Sequence, residues 1–207
     1  NGLIRSVLQR WGFSSNRIFE KTDAGGMLLV KEETEDMPRV VVIAFRGTKT
    51  KRDILTDLSA NKRGGGTTHS GFQTHVNRIA DAITQEMDPN ETSPIYVTGH
   101  SLGGAMSTIM MKKLHTLGYS GDQLHMYTFG QPRAGTNIFQ SEFDSLFKNA
   151  YIIQRNLDPV PLVPTFSGVL VGGYEHSGSL RFLDSAGQLY NDLHYQYEDI
   201  NRAMKDS

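Results

Sequence analysis

The chain of 207 residues contains no cysteine, so disulfide bonds and thiol chemistry are excluded. It also lacks an excess of charge. Its 21 Lys and Arg against 22 Asp and Glu leave a net charge of −1, which gives no electrostatic reason to expect a nucleic-acid partner. The longest apolar run, residues 40–45, is far too short for a transmembrane segment. No zinc motif and no acidic calcium loop occur, so we expect neither a metal nor a cofactor.

The length predicts one domain over residues 1–207. Apolar spacing predicts helices near residues 3–11, 72–87 and 137–148. Strands are predicted at residues 40–45, 95–97, 124–129 and 151–153, and hairpins at 18–31 and 180–190. The run at 40–45 is continuous rather than alternating, which predicts a strand buried on both faces. The alternation predicts an α/β fold, with a mostly parallel sheet and helices on both faces.

The motif Gly99-His100-Ser101-Leu102-Gly103 follows a predicted strand and precedes a helix-like stripe of apolar residues. A G-x-S-x-G motif between a strand and a helix is typical of a nucleophile elbow, in which a sharp turn holds the serine hydroxyl clear of its neighbours. The glycines let strand and helix pass closely, and the helix N-terminus favours developing negative charge. Ser101 is therefore the candidate nucleophile.

A serine nucleophile needs an imidazole base and an acid that orients it, and in α/β-hydrolases these follow in the order Ser, Asp or Glu, His. Asp158 fits the acid because it follows a strand, in a turn constrained by Pro159 and Pro161. Asp184, which also follows a strand, is the alternative. Asp122 and Asp144 are not at the carboxyl end of a predicted strand.

Only His176 and His194 follow Asp158, and topology favours His194 because it comes after the last pair of strands. The chain-order argument assigns structural or solvated roles to the other five histidines, which are His69, His75, His100, His115 and His125.

An oxyanion hole needs the backbone N–H of the residue after the nucleophile, here Leu102, and a second donor from a loop after an earlier strand. Thr48 follows such a strand. Ile54, Leu55 and Leu58 then lie on one face of a short predicted helix, before three glycines at 64–66. This segment is predicted to be either a mobile flap or an ordinary surface helix.

Together these motifs closely resemble the fungal-type (class three) lipase family of α/β-hydrolases, over about residues 40–195. The motifs are, in order, Ala44-Phe45-Arg46-Gly47-Thr48, His69-Ser70-Gly71-Phe72, Gly99-His100-Ser101-Leu102-Gly103-Gly104-Ala105, Thr128-Phe129-Gly130-Gln131-Pro132-Arg133, Asp158-Pro159-Val160-Pro161 and Asp192-Leu193-His194.

The resemblance implies the nucleophile at Ser101, the acid at Asp158, the base at His194 and an oxyanion donor at Thr48. It implies a lid at about residues 51–61, although Ile54 stands where the family often has Trp. His69 and His176 match motif positions other than the base.

The expected function is a serine carboxylic ester hydrolase, a lipase that cleaves acyl-glycerol lipids of the triacylglycerol type through an acyl-enzyme. Phospholipase A1, monoacylglycerol lipase, a short-chain or aryl esterase, and an acyltransferase are the alternatives among enzymes. The alternative that is not an enzyme is an inactive hydrolase scaffold that serves as a binding module. The partner is an acyl-lipid substrate, with activation at a lipid–water interface as a hypothesis from the apolar lid residues.

The oligomeric state and the compartment remain open from the sequence. The family resemblance favours secretion, whereas neither the cysteine content nor a visible signal segment supports it.

Overall fold

The structure is a computed structural model that describes residues 2–21, 24–47, 67–155, 158, 160–162 and 174–191. Its helices are α1 (Gly2–Arg10), α2 (Ser70–Gln85), α3 (Leu102–Thr116) and α4 (Asn137–Leu146), with a 3₁₀ turn at Val160–Leu162. Its strands are β1 (Ser15–Lys21), β2 (Ala24–Lys31), β3 (Val40–Phe45), β4 (Ile95–His100), β5 (Leu124–Phe129), β6 (Gly135–Thr136), β7 (Ala150–Arg155), β8 (Tyr174–Glu175), β9 (Ser179–Leu183) and β10 (Leu189–Asn191).

Eight strands form one sheet in the order β1-β2-β3-β4-β5-β7-β9-β10. The five central strands, from β3 to β9, run parallel, while β1, β2 and β10 pair antiparallel at the two ends. The predicted fold class is therefore confirmed. Strands β6 and β8 form a separate two-stranded sheet that the sequence did not predict.

One face of the sheet carries the main hydrophobic core, against α2 and α3. On β3 the side chains of Val41, Ile43 and Phe45 point into it, and the parallel register continues this buried row through the neighbouring strands. From Leu102 to Met111, every residue of α3 is buried. A helix so enclosed is apolar nearly all round, which holds the end that follows Ser101 in a fixed place.

The opposite face of the sheet is covered less completely. Leu29 of β2 is buried there, since it pairs with Val42, which alternates with the core residues of β3. Farther along, Tyr127 and Phe129 of β5 remain 40% and 46% exposed.

The prediction that β3 is buried on both faces was wrong. Val40, Val42 and Ala44 are only partly buried, in alternation with the core residues. A continuous apolar run reports a strand in the middle of a sheet, but not how much of each face other elements cover.

Within the described ranges, no helix combines the length and the apolar character needed to cross a membrane.

Candidate active site

Ser101 forms the sharp connection between β4 and α3. Its backbone dihedral angles are φ 56° and ψ −125°, and it is the one non-glycine residue with positive φ among the described residues. A side chain is strained in this region, so neighbouring contacts must enforce the conformation. The Ser101 amide donates to the carbonyl of Phe129 (2.9 Å), and its own carbonyl accepts from the amide of Gly104 (2.8 Å). The predicted elbow geometry is present.

Two glycines of the motif permit that geometry by close approach. A Cβ on Gly99 would lie 2.3 Å from the backbone carbonyl of Gly103, and a Cβ on Gly103 would lie 2.5 Å from the carbonyl oxygen of Phe45. Neither contact is possible with a side chain present, so β3, β4 and α3 meet here backbone against backbone.

The hydroxyl of Ser101 lies at the N-terminus of α3, where backbone N–H groups lack partners within the helix. Ser101 is 3% exposed, and its Oγ has no hydrogen-bond partner among the described residues. Leu102, the predicted oxyanion donor, is the first residue of the helix and is also buried. A buried hydroxyl with no partner in the described part of the chain calls for an explanation, and a catalytic role is one such explanation.

The loop after β3 passes directly beside the elbow. A Cβ on Gly47 would lie 2.5 Å from the carbonyl oxygen of His100 and 3.6 Å from the Cβ of Ser101. The chain therefore leaves β3 close beside Ser101. Thr48, the predicted second oxyanion donor, is the next residue along the chain but lies outside the described residues.

Asp158 lies at the same edge of the sheet, just beyond β7. Its Oδ2 is 2.6 Å from the point where a Cβ on Gly130 would stand, and the Nε2 of His100 is 3.6 Å from that point. Gly130 follows β5 and donates its amide to the carbonyl of Ile153 on β7 (2.9 Å). The ends of three neighbouring strands thus bring Ser101, His100 and Asp158 together, as expected for the carboxyl edge of a parallel sheet.

The proximity of His100 to Asp158 was missed, since chain order assigned His100 only a structural or solvated role. His100 ends β4 with its side chain on the less covered face of the sheet, where Asp158 also arrives. Its place directly before Ser101 is the one sequence signal for this proximity.

The three other aspartates considered for the acid lie in different surroundings. The Asp144 carboxylate accepts a hydrogen bond from the amide of Gly178 (2.7 Å), far along the chain. Asp184 closes the β9–β10 hairpin, where it accepts from the Gln188 amide (2.8 Å) and the Tyr190 hydroxyl (3.2 Å). Asp122 precedes β5 and so lies at the amino end of the sheet.

His194, the predicted base, lies outside the described residues, and so do the predicted lid residues Ile54, Leu55 and Leu58. The alternative base, His176, is described. Its Nε2 lies 2.8 Å from the carbonyl oxygen of Pro161 and 3.1 Å from the side-chain amide nitrogen of Gln154. Burial, with a contribution from the nearby Arg133 guanidinium, lowers the pKa of His176 to about 4.

Other described histidines are in structural surroundings. His69 is 2% exposed between the rings of Phe72 and Tyr174, and burial lowers its pKa. His125 stacks on Tyr96 with ring centroids 4.8 Å apart, and its pKa is also lowered by burial. Across the described ranges, no group of three or more His, Cys, Asp or Glu side chains is arranged to hold a metal ion.

Comparison with known proteins places this geometry in a family. The family model described as Lipase (class 3) matches residues 42–168, more than half of the chain. A secreted mono- and diacylglycerol lipase of Fusarium solani is 29% identical over 160 residues, which is 73% of this chain and 46% of that protein. A lipase of Rhizopus niveus is 28% identical over 166 residues, 74% of this chain and 41% of that protein. The chain thus spans less than half the length of these curated relatives.

Solved structures agree in fold. The lipase from Rhizopus microsporus var. chinensis superposes with a TM-score of 0.69 at 24% identity, over 91% of this chain and 70% of that one. The Rhizomucor miehei triacylglyceride lipase gives 0.68 at 21% identity, over 97% and 83%. The family model matches more than half of the chain, and the elbow at Ser101 and the shared sheet agree with it. The chain therefore belongs to the class 3 lipase family of α/β-hydrolases.

Proposed function

We propose that the chain is a serine carboxylic ester hydrolase that cleaves acyl-glycerol lipids through an acyl-enzyme on Ser101. The observation that carries the proposal is the strained, buried Ser101 at the N-terminus of α3. Strain of this kind persists only where the surrounding structure enforces it, and it is concentrated at functional sites. Relatives named as lipases, one of them a mono- and diacylglycerol lipase, support the substrate class.

In the proposed mechanism, His194 takes the proton from Ser101 as the Ser101 oxygen attacks the ester carbonyl. The backbone N–H groups of Leu102 and Thr48 stabilise the oxyanion, and Asp158 orients His194 and stabilises its charged form. Collapse of the tetrahedral intermediate breaks the ester bond, and the alcohol leaves with the proton from His194. Water activated by His194 then releases the fatty acid. Loss of one oxyanion donor is expected to cost on the order of 10²–10³ in rate.

The segment at about residues 51–61, with Ile54, Leu55 and Leu58, would form a lid that opens at a lipid–water interface. A relative named as secreted supports secretion of this protein. Phospholipase A1 and a short-chain or aryl esterase use the same chemistry, so a direct comparison of substrates must separate them.

The test measures hydrolysis of emulsified triacylglycerol, diacylglycerol, monoacylglycerol and phosphatidylcholine, and of p-nitrophenyl esters from short to long chains. Ser101→Ala is the inactive variant. Ser107→Ala is the matched control, because Ser107 lies on the same helix, equally buried, and donates to the carbonyl of Gly103 (2.8 Å).

We expect serine-dependent release of fatty acid from glycerides, with a rise in rate at the solubility limit of the substrate. Cleavage of phosphatidylcholine alone would assign phospholipase A1, and cleavage of short soluble esters alone would assign an esterase. Absence of serine-dependent turnover on every substrate would favour an inactive scaffold.

A further inference from the structure

His176 is one of the two histidines downstream of Asp158, but its contacts are not those of a base. It lies between β8 and β9, with its Nε2 2.8 Å from the carbonyl oxygen of Pro161. Pro161 belongs to the 3₁₀ turn that follows Asp158. The side-chain amide of Gln154, near the end of β7, lies 3.1 Å from the same nitrogen. One imidazole therefore contacts both the strand before the acid and the turn after it.

The protonation state of His176 follows from its partners. A carbonyl oxygen can only accept a hydrogen bond, so Nε2 must carry the proton that is donated to Pro161. The Gln154 amide then presents its oxygen to the same N–H, because the two atoms of an amide group are assigned by their hydrogen bonds. Nδ1 is buried with no hydrogen-bond partner among the described residues. The lowered pKa keeps the ring neutral above about pH 4, in the state that makes these contacts.

The segment that carries His176 is fixed by contacts with α4 and β7. The Gly178 amide donates to Oδ1 of Asp144 on α4 (2.7 Å), and the side chain of Gln140 donates to the other oxygen of that carboxylate (2.6 Å). A Cβ on Gly178 would lie 2.9 Å from the carbonyl oxygen of Ala150 on β7, at a φ of +108°. His176 therefore extends from a backbone that is fixed against α4 and β7.

The turn around Asp158 has weaker internal hydrogen bonds. The Asp158 amide lies 3.3 Å from the carbonyl of Arg155, and Asp158 Oδ1 accepts from the Val160 amide, also at 3.3 Å. Both contacts are near the long limit for such bonds, whereas the bond from His176 to Pro161 is short. His176 thus supplies a short link between the turn and the segment that is fixed against β7.

We propose that His176 is a positioning residue, which holds the turn carrying Asp158 in register with Ser101 through its hydrogen bond to Pro161. This inference rests on the proposed function and adds to it. His176 then acts through Asp158. It does not transfer a proton itself, as the alternative base suggested by its position in the chain would do. A displaced carboxylate would orient the base less well, so the loss should fall on turnover rather than on substrate binding.

The test compares three substitutions at position 176 by their steady-state kinetics on a soluble p-nitrophenyl ester. His176→Phe keeps the ring without a donor, His176→Gln keeps a donor at the reach of Nε2, and His176→Asn is polar but too short. We expect kcat to fall roughly 10- to 100-fold in His176→Phe with KM within two-fold, and His176→Gln to recover most of that loss. His125→Phe is the control, because it makes the same substitution in β5, on the less covered face of the sheet.

Coupling to the acid separates positioning from general destabilisation. In an Asp158→Asn background, His176→Phe should lower kcat less than two-fold, because the contribution of the turn is already lost. If His176→Phe does not fold, as judged by circular dichroism, the comparison of His176→Gln with His176→Asn in both backgrounds gives the same answer.

Equal kcat in wild type, His176→Phe and His176→Asn would overturn the inference, and so would an undiminished loss in the Asp158→Asn background. Either result, together with Ser101-dependent hydrolysis, would leave the proposed function intact. Absence of Ser101-dependent hydrolysis in the wild type would instead remove the proposed function.

Discussion

Ser101 combines two features that oppose stability, a backbone conformation that L-residues avoid and a buried hydroxyl without a hydrogen-bond partner among the described residues. Both are expected of a proposed nucleophile at a helix N-terminus, whose hydroxyl is kept for the base and the substrate. The strain has a stability cost that substitution can reveal.

Ser101→Gly and Ser101→Ala should both abolish turnover, but they should differ in stability. Both remove the hydroxyl, whereas only glycine adopts φ 56° without strain. We expect Ser101→Gly to be more stable than Ser101→Ala by about 1 kcal/mol, after the greater backbone freedom of unfolded glycine is subtracted. Urea unfolding of the two variants measures the difference. Greater stability of the alanine variant would mean that the conformation is not strained.

Asp158→Asn should lower kcat by on the order of 10⁴, because an amide cannot hold the base in the required tautomer. Asp184→Asn is the matched control, since Asp184 also follows a strand but is occupied in the β9–β10 hairpin. We expect it to keep near-wild-type kcat. A large loss in Asp184→Asn with an active Asp158→Asn would reverse the assignment of the acid.

At the scale of elements, the site depends on how closely β3, β4 and α3 approach one another. Gly47 is where the chain leaving β3 meets the elbow, and it can approach Ser101 so closely because it has no side chain. The position of this loop is set by backbone packing.

Gly47→Ala should therefore reduce kcat roughly 10²-fold, because a Cβ there would stand 2.5 Å from the carbonyl oxygen of His100 and must push the loop away. Gly2→Ala is the control, since no atom lies within 4 Å of its added Cβ. Wild-type kcat in Gly47→Ala would imply that the loop contributes no oxyanion donor.

The elements that form the elbow were predictable because local pattern and tertiary role coincide there. The strand before Ser101, the glycines and the apolar stripe of α3 all indicate the same turn. By contrast, the hairpin predicted at residues 18–31 is present, but Gly25 and Gly26, residues typical of a turn, lie within β2. Their lack of side chains makes room for the guanidinium of Arg46 and for Ile79, and these contacts with distant residues leave no local signal.

The pairing of β6 with β8 was missed for a related reason. Each strand has two residues, too few for any periodicity, and the partners are far apart in the chain. The contacts of His176 depend on the same fold-back. By chain order His176 was the alternative base, and the family resemblance matched it to a motif position without giving it a role. Nothing in its sequence neighbourhood indicates that the carbonyl of Pro161 accepts a hydrogen bond from it.

For the whole molecule, buried neutral histidines make stability depend on pH. In the unfolded chain a histidine titrates near pH 6.5, whereas the pKa of His176 in the folded protein is about 4. Between these values the unfolded chain binds a proton that the folded protein does not. The contribution of His176 to the free energy of unfolding is therefore fully present above about pH 6.5 and declines as the pH falls toward 4. His69, also with a lowered pKa, acts in the same direction.

We expect His176 alone to account for about 3 kcal/mol of lost stability by pH 4. Urea unfolding at pH 7 and at pH 4.5 measures the decline, which should be clearly smaller in His176→Gln than in the wild type. Identical declines would mean that His176 titrates normally in the folded protein.

Covalent labelling provides the strictest test of Ser101 as the nucleophile of this chain. The wild type, Ser101→Ala and Ser107→Ala are treated with a fluorophosphonate, and the modified residue is identified by peptide mass spectrometry. We expect one label per chain on the peptide with Ser101, no label in Ser101→Ala and near-wild-type labelling in Ser107→Ala. Absence of labelling in a folded wild type, or a label on another residue, would show that Ser101 is not the nucleophile.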